Sequence, residues 1–181
     1  LGGVPKDYKI AENVTADGIT FSLGGDYSLN SWNVTASYSS TGSGKEATLS
    51  WTVPTGYTIS VSQITIEAYS EYSLWTQGKG QYKTSKNASL TTFCSDDSWQ
   101  TITLSSSSYF PLGNDGSITM KAIDRGLRWK DIDFTYTKTA HKYNIAFDAN
   151  GGTGTTQGIV NVSYDTNVNL TPNGFTYNKF I

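Results

Sequence analysis

The feature that most constrains this chain is a side-chain period of two that returns along almost its whole length. Trp32, Val34, Ala36 and Tyr38 alternate with polar residues, and Thr-Gly-Ser-Gly follows at 41–44. Ala47, Leu49, Trp51 and Val53 repeat the pattern before a Pro-Thr-Gly turn at Pro54. Ile64, Ile66 and Ala68 make another stripe, as do Ile102 with Leu104 and Ile118, Met120 and Ala122. Ile132, Phe134 and Tyr136 close the series that Ile19 and Phe21 open. Such alternation sets one face of a strand on a core and the other in water. No helical period is present to supply the crossovers that parallel strands need. The pattern predicts an all-β chain of seven to nine short strands, packed as an antiparallel, jelly-roll-like β-sandwich over residues 1–139.

Composition narrows the function. The 181 residues carry a formal net charge of -2 with only 15% charged side chains, and Lys and Arg are scattered. A line of phosphates or an anionic membrane surface is not matched by such a chain. No apolar stretch reaches the length of a membrane span. Ser, Thr, Gly, Asn and Tyr are abundant, as in secreted β proteins, whose turns use Gly and Asn. A single Cys94 cannot form an internal disulfide and is expected buried and inert.

Catalytic constellations are sparse. His141 is the only histidine, and it is expected in a polar linker at 137–142, remote from any nucleophile elbow. One Cys and one His give no zinc spacing. The Gly-rich turns lack the Lys-Ser/Thr and the following helix of a phosphate loop. Carboxylate pairs occur at Asp96/Asp97, Glu67/Glu71 and Asp131/Asp133, but none suggests a cleft with one raised acid. The chain is expected not to be an enzyme.

The aromatics point elsewhere. Trp32 and Trp51 fall in register with inward apolar residues and are expected in the core, while Trp99, after a turn, fits either a core edge or the surface. Simple alternation puts Trp129 on the solvent face with Asp131 and Asp133, opposite Ile132 and Phe134. Residues 69–82 are dense in Tyr, Trp, Gln and Glu without regular alternation. Sugars stack their C–H faces on aromatic rings, while planar amides and guanidinium groups bond the hydroxyls. Tyr72, Trp75, Tyr82 and Trp129 are therefore expected to stack a glycan, with Gln77, Arg125 and Arg128 on its hydroxyls. Two alternatives stand beside this. The same residues suit a protein-binding adhesin, or they simply fill the ends of a stalk domain.

Two resemblances add to this reading. Tyr143-Asn-Ile-Ala-Phe-Asp-Ala-Asn-Gly-Gly-Thr-Gly, Val160-Asn-Val-Ser-Tyr164 and Asn169-Leu-Thr-Pro-Asn-Gly-Phe175 resemble the opening half of the Listeria–Bacteroides repeat, the B-repeat of internalin-type surface proteins. The resemblance implies an extracellular protein of the bacterial surface, with residues 140–181 a truncated repeat of small, β-rich, grasp-like fold acting as a spacer. It implies a monomeric fragment of a larger protein, any export signal or wall anchor lying outside this segment. Gly116-Ser-Ile-Thr-Met-Lys-Ala122 and Arg128-Trp-Lys-Asp-Ile-Asp-Phe-Thr-Tyr136 look like the last strands of galactose-binding-like carbohydrate-binding modules, although their Glu-Ala-Glu opening is missing. That likeness implies a glycan or cell-surface ligand as partner, and Asp131 as the position matching a structural calcium ligand.

Overall fold

The computed structural model describes residues 2–3, 13–25, 28–31, 37–41, 44–70, 79–94, 98–123 and 126–177. It divides into two compact units, one of Leu1–Pro54 with Ile59–Lys138 and one of Thr55–Thr58 with Thr139–Ile181. Strands are numbered along the chain.

The first unit is an antiparallel β-sandwich. One sheet runs β10 (Gln100–Leu104), β7 (Tyr57–Ser70), β12 (Leu127–Ala140), β5 (Ser37–Thr41), β4 (Ser28–Ser31), with β1 (Gly2–Gly3) also paired to β12. The other runs β2 (Asn13–Ala16), β3 (Ile19–Gly25), β6 (Glu46–Thr52), β11 (Ser117–Ala122), β8 (Lys79–Thr84), β9 (Asn87–Cys94). The inward stripes meet between the sheets: the Phe21 ring of β3 lies 4.8 Å from Phe134 of β12. Trp51 of β6 meets Phe134 edge-on at 5.5 Å. Its indole N–H donates to the Gly113 carbonyl oxygen at 2.9 Å, so the ring is buried without stranding its one polar atom. Gly116 lies against that ring; a Cβ there would fall 2.0 Å from an indole carbon, so only glycine lets Trp51 in.

The alternation read from the sequence holds for most inner stripes. Ile19 and Phe21, Ala47, Leu49 and Trp51, Ile64, Ile66 and Ala68, and Ile118, Met120 and Ala122 are all buried. Strands number more than nine, and β7 and β12, at 14 residues each, are long rather than short. The expected linker at 137–142 is largely the end of β12 and the start of β13. Trp32, Val34 and Ala36 lie outside the described residues.

Both long strands change phase. In β12, Leu127 and Trp129 are buried, then Ile132 and Phe134. Asp131, between them, has φ 44°, the left-handed conformation that Asp tolerates better than most residues. One extra residue at this β-bulge turns the strand over, so odd positions face the core before it and even positions after it. In β7 the buried positions pass from Ile59 and Val61 to Ile64 and Ile66 in the same way.

The second unit is built of two antiparallel strand pairs, each joining strands that are not consecutive in the chain. β13 (Lys142–Ile145) pairs with β15 (Ile159–Ser163), and β14 (Thr153–Gly154) with β16 (Phe175–Thr176). Asn150 and Gly151 take positive φ, as an Asn-Gly turn signal predicts. The Tyr57, Tyr164 and Tyr143 rings line up at 5.5 Å and 6.3 Å. Tyr164 rests on Gly56, where a Cβ would fall 2.3 Å from the ring.

Candidate functional site

The phase change of β12 overturns one expected ligand contact. Trp129 is 1% exposed and belongs to the core, because the bulge at Asp131 reverses the parity that placed it beside Asp133. Tyr82 is overturned as well. It lies on the inner face of β8, 4% exposed, with its ring 5.1 Å from that of Tyr109. Burial pushes its phenol above the ordinary range; a hydrogen bond with Thr91 acts against this and the nearby Tyr109 adds to it. Gly80, Tyr82 and Thr84 form the buried stripe of that strand, hidden in the sequence by the small size of Gly80 and the polarity of Thr84. Tyr72, Trp75, Gln77 and Arg125 lie outside the described residues.

Arg128 does reach the surface, and what surrounds it defines the candidate site. On β7, Ala68 and Ser70 are sealed in the core, so Tyr69 between them stands on the outer face. β10 pairs with β7 as Gln100↔Ala68 and Thr101↔Glu67, which brings Trp99 alongside Tyr69. The two rings are 5.7 Å apart, tilted by 46°. From the other side, the Arg128 guanidinium lies 5.2 Å from the centre of the Tyr69 ring. Lys130, two residues on, holds its ammonium 4.6 Å from the Trp99 ring and 3.2 Å from Glu67. Thr101 completes the patch on the edge strand.

Two cations and two rings are thus brought together from strands distant in sequence. Cation–π contacts and the Glu67 pair hold the long side chains in place, each worth about 0.5–1 kcal/mol at an exposed position. What results is a half-exposed aromatic surface edged by groups that donate and accept hydrogen bonds. The site lies on a sheet face and, of the residues expected to hold a ligand, takes in Arg128. Tyr69 and Glu67 take the parity opposite to the inward Ile64, Ile66 and Ala68, so their outward face was open to reading from β7 alone. Their meeting with Trp99 and Lys130 was not.

Asp131 is the position that the resemblance matches to a calcium ligand. Its carboxylate lies 3.9 Å from the Lys130 ammonium, which competes with any cation there. Calcium takes six to eight oxygens, and among the described residues no group of three His, Cys, Asp or Glu side chains could hold a metal.

No family model matches this sequence, and no curated protein matches it. Solved structures with a similar arrangement of strands include a family 11 carbohydrate-binding module from Clostridium thermocellum, in complex with a beta-1,3-1,4-mixed-linked tetrasaccharide. It shares 14% identity at a TM-score of 0.38, over 74% of this chain and 95% of that one. A second is a family GH115 4-O-methyl-alpha-glucuronidase with specificity for decorated arabinogalactans, 11% identical at 0.40; the match covers 62% of this chain but spans only 16% of that enzyme. A third comes from work on promiscuous carbohydrate-binding modules of the β-sandwich superfamily, 15% identical at 0.31, over 65% and 57%.

Proposed function

We propose that this chain is a non-catalytic module of an extracellular bacterial surface protein, binding a carbohydrate on the outer face of its first sheet. The observation that carries this is the Trp99–Tyr69 ring pair, flanked by Arg128, Lys130 and Glu67 on a solvated face. Rings supply the apolar surface on which a sugar stacks, and the guanidinium and carboxylate bond its hydroxyls. The second unit, through its resemblance to the B-repeat, serves as a spacer.

The same Trp, Tyr and Arg side chains favour a second reading, a protein-binding adhesin, since these residues dominate protein hot spots. A glycan array probed with the 181-residue chain separates the two. Binding to glycans that Trp99→Ala weakens tenfold or more supports the carbohydrate reading. Silence across the array, with an intact fold by circular dichroism, overturns it in favour of adhesion.

A further inference from the structure

The site has a direction as well as a composition, and this extends the carbohydrate reading, on which it rests. Tyr69 and Arg128 sit on β7 and β12, and Trp99 immediately precedes β10; the three strands are adjacent in one sheet. They form a row perpendicular to the strands, with steps of 5.7 Å from ring to ring and 5.2 Å from ring to guanidinium. The backbone register continues through β5, where Ser40 pairs with Arg128, to β4, where Ser28 pairs with Ser40. Adjacent strands are spaced by about 4.8 Å, close to the advance of one sugar along an extended β-linked chain.

We infer that the ligand is a linear, uncharged, β-linked glycan lying across the strands, with successive sugars over Trp99, Tyr69 and Arg128. An extended β-linked chain is a flat ribbon and can follow a row on a sheet; an α-linked chain curls away from it. Among the described residues the site's charges balance: Arg128 and Lys130 are matched by Glu67 and Asp131, with Lys130 3.2 Å from one carboxylate and 3.9 Å from the other. That balance leaves no excess of positive charge to select a uronate or sulfated sugar.

Calorimetric titration of the 181-residue chain with linear cello-, manno- and xylo-oligosaccharides of increasing length tests this. A malto-oligosaccharide series and an oligogalacturonate series serve as comparisons. Affinity is expected to climb to about three or four sugars and then level, in at least one β-linked neutral series and in neither comparison series. Trp99→Ala, Tyr69→Ala and Arg128→Ala should each lower it at least tenfold, and Trp99→Phe should recover most of the loss, which separates lost stacking from lost folding. Tight binding that ignores chain length, prefers the curled or charged series, or survives all three substitutions overturns the row while leaving carbohydrate binding intact. Failure to bind any glycan on the array or in these series overturns both.

Discussion

The two units use the same period-two patterning to different ends. In the first, the stripes of two sheets face one another, and among the described residues every buried apolar side chain belongs to it. In the second, none of the described apolar residues is fully buried: Tyr143 is 47% exposed, Leu170 64% and Val160 68%, while Ile145, Ile159 and Phe175 are half-buried. Alternation makes a strand two-faced, but only a second layer makes one of those faces a core. Two-stranded pairs without that layer rest on turns, ladder hydrogen bonds and a short run of tyrosine rings. Stability should therefore be concentrated in the sandwich.

The largest effect should come from deleting Asp131. Removing the bulge residue forces Trp129 or the Ile132–Phe134 pair out of the core, and a loss of more than about 4 kcal/mol is expected by urea unfolding. If the shortened chain keeps near-native stability, the parity argument is wrong. Trp51→Ala comes next. It removes a ring packed on Phe21 and Phe134 and seated on Gly116, at a cost of about 3–5 kcal/mol in the same measurement.

A pH series sharpens the contrast from the side of protonation. Burial holds the Tyr82 phenol above its ordinary pKa of 10.0, and that of Tyr136 is raised by burial and by Asp17. The folded state therefore keeps these protons where the unfolded chain releases them. Their contribution is whole below about pH 10 and is lost as pH rises beyond it. Tyr82→Phe should flatten that alkaline decline, and an unchanged decline would place Tyr82 outside the sealed core. The smallest effect is expected in the second unit, where Leu170→Asn should change stability by no more than about 0.5 kcal/mol. Its amides should also exchange hydrogen faster than those of β6 and β11. A large loss from Leu170→Asn would mean that this face is covered after all.

What the sequence determined by itself was the class of fold and most inner stripes, because a strand's faces are set by parity and parity is local. Ile64, Ile66 and Ala68, Ala47, Leu49 and Trp51, and the Asn150-Gly151 turn are all legible one strand at a time. Parity fails wherever a single residue is inserted, and nothing in Arg128-Trp-Lys-Asp-Ile-Asp announces that Asp131 is that residue. So the fate of Trp129 was decided only by the fit of β12 against both its neighbours and the core. The candidate site was settled in the same way. Trp99, Tyr69 and Arg128 lie up to 59 positions apart in sequence, and only the strand order β10-β7-β12 makes them neighbours. Strand order follows from how two whole sheets close over their shared core, a choice that no single stretch of chain contains.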